Sequence, residues 1–386
     1  MDILINNTID RLSWQSVGLV LATIAIGFIA CQFKETYVLS ALVVVAWGVT
    51  RSRWFAYTLI VLYTVASTWV VIPAIVDYLQ WHPAKAGWFW AIALPCTLLP
   101  WLLLHRSDNK HIELRLSLIL LITFIPPIGM IQFASPFVGT SMMFSGGGVL
   151  SILAGVFMCG SIIRLYTNDK KIWILPILSV VALSNLHLKE FKQIDGWVAV
   201  DTAVKVGGLM HTIEGSMEAL TTAKKVARRD NPSVVVLGES TGGYSVSAGE
   251  MLLGSAINHT VFVAGGRVDN RQALFVWSKD GSANVYHQRL RPVLLEHMDG
   301  DLDGNRTVVI DGLTVAPLIC YEGAVPYTIA TALMENPEAL LSVANFSFSR
   351  NDAYFERVLR AHIGAWGQIF DIPTIVAVNT RNIRNV

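Results

Sequence analysis

The sequence predicts two parts in series: a polytopic α-helical membrane domain over residues 1–190 and an α+β domain over residues 195–386. Composition is the first reason. Of the 386 residues, 53% are hydrophobic and 15% are charged, and the mean hydropathy is +0.51, which is too apolar for one water-soluble globule of this length. The second reason is the change of pattern near residue 195, where long apolar stretches give way to alternating short strands and amphipathic helices.

Seven stretches in the first part contain no Asp, Glu, Lys or Arg. A helix that crosses a bilayer needs roughly 20 apolar residues, with about 17–25 usual. Four of the stretches meet this length, and the other three would need tilt, partial insertion or help from flanking residues. We therefore predict about seven transmembrane helices, with six as the alternative. The stretches are residues 14–33, 36–50, 54–76, 86–104, 116–133, 149–163 and 172–186.

The positive charges between these stretches predict their orientation. With a cytoplasmic N-terminus, the inside segments carry nine Lys or Arg residues and the short outside loops carry two. Positive residues favour the cytoplasmic side, so we predict a multi-pass protein of the bacterial inner membrane with its C-terminal domain in the periplasm. The inside charges are Arg11, Arg51, Arg53, Arg106, Lys110, Arg115, Arg164, Lys170 and Lys171, and the outside charges are Lys34 and Lys85.

The second part alternates between strand and helix patterns. Lys279-Asp280-Gly281 and Asp311-Gly312 each separate two β-branched or aromatic runs, which predicts two hairpins. Hairpins combined with strand–helix alternation indicate a mixed sheet covered by helices. We predict strands over residues 197–200, 233–237, 260–264, 273–277, 284–286, 307–310, 313–319, 339–344 and 374–378, and helices over residues 213–229, 247–257, 326–334 and 354–370.

A single cysteine marks the candidate site. Cys320 ends an apolar strand and precedes Tyr321 and Glu322, and it is the one cysteine of the C-terminal half. It has no neighbour in sequence for a disulfide or a metal, so it is a candidate nucleophile, with a buried inert thiol as the alternative. The periplasm is oxidising, and chemistry is one reason to keep an unpaired thiol there. The other cysteines, Cys31, Cys96 and Cys159, all lie in apolar stretches.

Several function classes are disfavoured. The run Gly146-Gly147-Gly148 follows a loop rather than a strand, so it does not favour a nucleotide site. The sequence shows no basic cluster of the kind that contacts nucleic acid, so no direct nucleic-acid binding is expected. The predicted spans contain no charged pair, which disfavours a transporter of ions or polar solutes. We predict no cofactor and no metal.

Motifs in order along the second part carry a resemblance. A β-run ends at Glu239, a Tyr-x-x-x-Leu element follows, and Ile-Cys-Tyr-Glu comes next. This order resembles the nitrilase, or carbon–nitrogen hydrolase, superfamily. The Ile-Cys-Tyr-Glu version joined to an N-terminal membrane part is similar to the apolipoprotein N-acyltransferases. The whole layout resembles the TraB family of conjugal-transfer membrane proteins of rhizobial plasmids. The motifs are residues 234–239, 286–290, 319–322, 341–345, 360–361 and 378–380.

The resemblance implies an αββα sandwich and a Glu-Lys-Cys catalytic set. Cys320 would form a thioester that is passed to an amine or to water, and Glu239 would take the thiol proton. Tyr321, Glu322 and Glu296 would contact the substrate. The resemblance also implies a membrane lipid or a lipoprotein as the substrate, and the conjugation machinery as a partner.

The expected lysine is missing. The family places a Lys three residues before the Leu of its Tyr-x-x-x-Leu element, and counting back from Leu290 that position is His287, followed by Gln288 and Arg289. No Lys follows Lys279. We predict that Arg289, or His287, supplies the cation instead. The alternative is a catalytically impaired component that binds rather than reacts.

The end of the chain is a second departure from the family. The relatives continue past the Asn-Thr element with more sheet, and the acyltransferases add a final membrane helix. The sequence here ends at Val386. We therefore expect the second domain to be completed differently, or to be incomplete at its C-terminus.

Overall fold

The computed structural model describes residues 14–108, 110–130, 134–168, 170, 192–204, 208–243, 245–290 and 298–381. Six of the seven predicted apolar stretches form helices, and the seventh, residues 172–186, lies outside the described residues. The helices are α1 (Trp14–Ala30), α2 (Lys34–Tyr37), α3 (Ser40–Val49), α4 (Arg53–Thr68), α5 (Val71–Leu79), α6 (Pro83–Thr97), α7 (Leu99–Leu103), α8 (Ile112–Phe124), α9 (Pro136–Met142) and α10 (Val149–Thr167).

Helix length bears on the predicted membrane spans. In the described part of the chain, α10 is the one helix that is by itself long and apolar enough to cross a bilayer. Helices α4 and α5 together form a second candidate, bent by 49° at the break between them. The structure thus confirms helices in six stretches, and the seven-span arrangement stays a prediction.

Two sheets form the second part. One has five strands in the order β1-β2-β3-β4-β5, and the other has four in the order β6-β7-β8-β9. The strands are β1 (Trp197–Val200), β2 (Val234–Leu237), β3 (Val261–Val268), β4 (Arg271–Trp277), β5 (Ala283–His287), β6 (Val308–Ile310), β7 (Leu313–Ile319), β8 (Ala339–Asn345) and β9 (Thr374–Asn379).

The two sheets pack face to face, with helices on both outer sides. Alternate residues of β2, β3 and β4, such as Val236, Val263 and Leu274, meet β7, β8 and β9 in a buried layer between the sheets. The opposite face of the first sheet packs against α11 (Gly208–Asp230) and α12 (Val246–Leu253). The second sheet packs against α13 (Pro326–Leu333) and α14 (Asp352–Phe370). The observed order of layers is α, β, β, α.

Strand direction brings the candidate residues together. Strands β1, β2 and β3 run parallel to one another, as do β7, β8 and β9. Glu239 follows β2, Cys320 follows β7, and Asn345 and Asn379 end β8 and β9. The carboxyl ends of parallel strands are where α/β proteins place ligand sites.

The predicted strands and hairpins of this part are confirmed, with one error of length. Strand β3 was expected to stop at residue 264, but it continues to Val268 and turns into β4 through Asp269 and Asn270. Both turn residues have positive φ, 47° and 60°, as a tight hairpin turn requires. Gly265 and Gly266 weaken the strand pattern, and this led to the early end of the predicted strand.

The helical part packs against the sandwich through α14. Tyr37 Oη lies 2.8 Å from His362 Nδ1, and Tyr354 Oη donates to the Ser67 carbonyl at 3.1 Å. Ala30, Val138 and Met142 join side chains of α13 and α14 in one buried cluster. The two parts therefore share a hydrophobic core as well as polar contacts.

Candidate functional site

A cavity of about 410 Å³ lies between the helical part and the sandwich. Glu239 and Cys320 both line this cavity, so the two predicted catalytic residues face the same cavity. Most of the lining side chains are apolar. Helices α4, α5 and α6 contribute on one side, and on the other side the residues after β8 and helix α14 contribute Phe346, Phe348 and Phe355.

Cys320 has an unusual backbone. Its φ is +58°, in the left-handed region that residues other than Gly rarely adopt. It follows β7 and begins a short 3₁₀ helix, Cys320–Ala324. Its exposure is intermediate, so the thiol is accessible from the cavity. Residues held in such conformations cluster at functional sites, where the surrounding structure enforces them.

Glu239 is held at the end of β2 and is 3% exposed. Its Oε2 accepts a hydrogen bond from the Asn345 backbone N–H at 3.0 Å, and its own N–H donates to the Ala344 carbonyl at 3.3 Å. Ser240, the next residue, also lines the cavity and has a φ of +64°. The carboxylate is therefore tied to the second sheet, which carries the cysteine.

Asn345 is fixed in turn by Asn379, which is completely buried. Asn379 Nδ2 donates to Asn345 Oδ1 at 3.1 Å, and Asn379 Oδ1 accepts from Thr202 Oγ1 and the Val204 N–H, both at 2.9 Å. This chain of hydrogen bonds connects the ends of β8 and β9 to the segment after β1. It supports the backbone N–H that contacts Glu239.

The structure separates the three residues that stand where the family has its lysine. Gln288 is completely buried, and its Nε2 donates to the carbonyl of Ile319 at 3.2 Å, directly before Cys320. Arg289 points to α13, where it donates to Thr331 Oγ1 at 3.1 Å and the Thr328 carbonyl at 2.9 Å. His287 ends β5. None of the three is among the described residues that line the cavity.

Glu322 connects two segments around the cysteine and does not line the cavity. Its Oε1 accepts from the N–H groups of Arg289 and Leu290 at 2.9 and 2.8 Å, and its Oε2 accepts from the Ile319 N–H at 3.0 Å. Burial raises the pKa of Glu322, which the Arg289 guanidinium and these N–H groups oppose. Burial also lowers the pKa of Arg289. The geometry indicates a positioning role for this carboxylate.

The remaining predicted residues fall in different places. Tyr321 lines the cavity beside Cys320, and its contact with a substrate stays a prediction. Glu296 lies outside the described residues. The other cysteines offer no second candidate inside the protein: Cys31 and Cys159 are completely buried, and Cys96 is exposed on α6.

Of the lining residues that the sequence analysis did not single out, three carry side chains that bear on the chemistry of the site. Arg267 and Gln272 are cross-strand partners on β3 and β4. Their signal was the Asp269-Asn270 turn, which would have paired the two strands. His362 on α14 has no local signal, because its burial comes from the helical part. Burial lowers its pKa to about 3, so its ring is neutral at physiological pH.

The site offers nucleophilic chemistry in an apolar setting. A thiol needs a base to become a thiolate at neutral pH, and Glu239 is the carboxylate that shares the cavity with Cys320. An apolar cavity of this size suits a hydrophobic group. In the part of the chain that the structure describes, no cluster of three His, Cys, Asp or Glu residues could hold a metal ion.

The chain is similar to solved structures of the nitrilase superfamily over about half of its length. No protein-family model matches the sequence. Among solved structures, the chain is similar to Nit3 of Saccharomyces cerevisiae, a member of branch 10 of the nitrilase superfamily, with 12% identity over 48% of this chain and 76% of that one, and a TM-score of 0.37.

The sequence is similar to conjugal transfer proteins named TraB. The probable conjugal transfer protein TraB of Sinorhizobium fredii is 25% identical over 297 residues, covering 71% of this chain and 74% of its own. The conjugal transfer protein TraB of Agrobacterium fabrum is 21% identical over 294 residues, covering 66% and 64%. The predicted resemblance to TraB proteins is thereby confirmed, and the one to the apolipoprotein N-acyltransferases stays a prediction.

Proposed function

We propose that this chain is a membrane-anchored protein of the conjugal-transfer TraB type that uses a thioester on Cys320 for acyl transfer or amide hydrolysis. One observation carries the proposal: a single cavity is lined by the thiol, by the carboxylate of Glu239 and by apolar side chains from both halves of the chain. A polar reacting group placed beside an apolar space is what an acyl substrate needs.

The reaction would proceed in two steps. Glu239 takes the proton of Cys320, and the thiolate attacks the carbonyl carbon of the substrate. The bond to the leaving group breaks, the leaving group receives the proton, and the acyl group stays on sulfur as a thioester. An amine or water then attacks the thioester and restores the free thiol.

The proposed substrate is a membrane lipid or a lipoprotein, and the proposed location is the bacterial inner membrane. Support comes from the cavity wall formed by α4, α5 and α6, and from the large apolar side chains on the outside of the helical part. Exposed large apolar side chains suit contact with a membrane. Among these side chains are Trp14, Trp54, Trp88, Leu103 and Leu150. The charge bias of the sequence favours a cytoplasmic N-terminus and a periplasmic sandwich.

The second candidate function is binding without catalysis, as part of the conjugation machinery. The neutral Gln288 beside the cysteine favours it. A cation near the attacked carbonyl stabilises the oxyanion, and loss of one such donor typically costs on the order of 10²–10³ in rate. A protein without that cation could keep the cavity for a ligand and lose the reaction.

Intact-mass analysis separates the two candidates. The protein purified from membranes and incubated with octanoyl p-nitrophenyl ester should gain one octanoyl group, which Cys320→Ala abolishes. Cys96→Ala is the matched control, because Cys96 is the other accessible thiol, and it should keep the adduct. Plasmid transfer from cells with Cys320→Ala should fall. If the wild type forms no adduct and Cys320→Ala transfers fully, the enzyme proposal is wrong and binding remains.

A further inference from the structure

Arg267 is the cation of the cavity. Among the described residues that line it, Arg267 alone carries a permanent positive charge. The residue lies near the end of β3 and is half-buried. Glu239 is the one Asp or Glu residue among the same described lining residues.

Arg267 belongs to a polar row across the first sheet. It is the cross-strand partner of Gln272 on β4, and the N–H of Gln288 donates to the Gln272 carbonyl at 2.8 Å. Side chains that face each other across strands lie on the same face of the sheet. Val263 and Leu274, each an even number of residues away, place this face toward the second sheet. The layer between the sheets thus changes from apolar to polar at the end that holds Cys320.

The guanidinium of Arg267 has more N–H donors than it has described hydrogen-bond partners. It has five N–H donors, and its described partner is Asn270 Oδ1, which accepts from Nη2 at 2.6 Å. No carboxylate in the described part of the chain forms an ion pair with it. A half-buried charge is favourable when an opposite charge and further hydrogen bonds accompany it. The free donors therefore suit an anion.

The position of Arg267 separates it from the reacting carbonyl. Gly265 lies against Glu239, and Arg267 is two residues further along the strand, about 7 Å at the usual rise. Its guanidinium extends to Asn270 in the turn, away from Glu239. A group bound there would belong to the part of the substrate that leaves.

We propose that Arg267 selects acylated substrates whose leaving group bears a carboxylate or a phosphate. The proposal rests on the proposed thioester chemistry of Cys320. The acyl chain occupies the apolar part of the cavity and the carbonyl lies at the thiol. On attack by the thiolate, the C–N or C–O bond breaks, and the anionic amine or alcohol takes the proton from Glu239 and leaves past Arg267.

Three amides that share the same octanoyl chain and differ in the leaving amine test the proposal. N-octanoylglycine carries a carboxylate, N-octanoyl-2-aminoethyl phosphate carries a phosphate, and N-octanoylglycinamide is neutral. The wild type should release the amine from at least one anionic amide about 10-fold or more faster than from the neutral one, as hydrogen bonds to charged groups support. The faster of the two anionic amides identifies the group. Arg267→Gln should remove the preference, and Arg267→Lys should keep part of it.

Arg271→Gln is the matched control. Arg271 lies on the same hairpin, pairs with Asp301 at 3.8 Å outside the cavity, and should keep the full preference. Equal rates on the three amides in the wild type would overturn the role of Arg267 and leave the thioester chemistry standing.

Binding of the three amides to the Cys320→Ala variant distinguishes a failure of the thioester chemistry from a failure of anion recognition by Arg267. If no amide reacts in the wild type, amide cleavage is excluded, the ester adduct still tests the thioester chemistry, and calorimetric titration of Cys320→Ala with N-octanoylglycine, N-octanoyl-2-aminoethyl phosphate and N-octanoylglycinamide still tests Arg267. Tighter binding of an anionic amide, lost in Arg267→Gln, supports anion recognition. Equal binding of all three overturns it.

Discussion

Gly265 lies so close to Glu239 that a β-carbon on Gly265 would fall 2.5 Å from the Glu239 Cα and 3.2 Å from its Cβ. Such a contact is impossible without a shift of the backbone. The glycine on β3 therefore lets the end of β2 carry Glu239 into the cavity at this position. The same residue weakened the strand pattern in the sequence, so a requirement of the site obscured an element of the fold.

We predict that Gly265→Ala displaces Glu239. Overpacking of a well-packed site costs typically about 1–3 kcal/mol, so the thermal midpoint should fall. The rate at which a maleimide labels Cys320 should fall as well, because the base moves away from the thiol. Gly87→Ala is the control: no atom lies within 4 Å of the added carbon, and both readings should stay at the wild-type level or rise slightly. Unchanged labelling in Gly265→Ala would contradict a role of Glu239 as the base.

Gln288→Lys should raise the rate of acyl-adduct formation on Cys320. Gln288 is the residue of the three whose side chain contacts the segment before the cysteine, so a lysine there would place an ammonium near the attacked carbonyl. Gain of one oxyanion donor is worth on the order of 10²–10³ in rate. The measurement is the time course of the octanoyl adduct by intact mass. A rate at or below the wild-type value, in a variant that still melts cooperatively, would show that the cation is not what limits the reaction.

Arg289→Ala should destabilise the protein. Its guanidinium donates to the Thr328 carbonyl and to Thr331 Oγ1, and its positive charge opposes the rise in pKa that burial imposes on Glu322. Removal of one partner that leaves a buried polar group unsatisfied typically costs about 1–3 kcal/mol. The matched control is Arg306→Ala, whose pair with Glu335 at 3.5 Å is exposed and worth about 0–1 kcal/mol. An Arg289→Ala protein with a normal midpoint that has lost its acyl adduct would instead support Arg289 as the catalytic cation.

Local patterns predicted much of the sandwich because its signals are local. The turns at Asp311-Gly312 and Lys279-Asp280-Gly281, and the apolar run into Cys320, depend on neighbours in sequence, and the strands they predict are present. The cavity could not be predicted in this way. Its walls come from α4, α5 and α6 and from α14, more than 200 residues apart in the chain.

The same distinction explains the predicted site residues. Cys320, Glu239 and Tyr321 could be predicted to lie together because each belongs to a motif at the end of a strand, and all three line the cavity. Glu322 is adjacent to them in sequence, but the turn of the 3₁₀ helix directs its carboxylate to three backbone N–H groups. Arg267 was missed, because its place in the cavity follows from the pairing of β3 with β4.

Acid should destabilise the protein through His362. Burial lowers the pKa of His362 from the ordinary 6.5 to about 3, so the folded state keeps the ring neutral while the unfolded chain binds a proton below about 6.5. The stability from the neutral ring is complete above pH 6.5 and is lost as the pH falls toward 3, by up to about 1.4 kcal/mol per pH unit. Thermal midpoints in detergent should therefore vary less over this range in His362→Gln. The exposed His259 offers the control His259→Gln, which should follow the wild-type curve. Parallel curves for wild type and His362→Gln would contradict the buried neutral ring.

The charge bias of the first half makes a prediction about topology. The bias of nine positive residues against two predicts that the loops around Arg106 and Arg164 lie in the cytoplasm, and an odd number of spans then predicts that Asp201 lies in the periplasm. Alkaline phosphatase, which is active in the periplasm, should be active when fused after Asp201 and inactive when fused after Arg106. A fusion after Lys85 is the matched control on an outside loop and should be active. Green fluorescent protein at the same three sites should give the opposite pattern, because it folds in the cytoplasm.

The outcomes distinguish seven spans from six. If the phosphatase is active after Lys85 and after Asp201 but inactive after Arg106, the chain crosses the membrane an odd number of times between Arg106 and Asp201. Phosphatase activity after Lys85 but not after Asp201 would instead support six spans, and the sandwich with Cys320 would then lie in the reducing cytoplasm, where an unpaired thiol needs no special explanation.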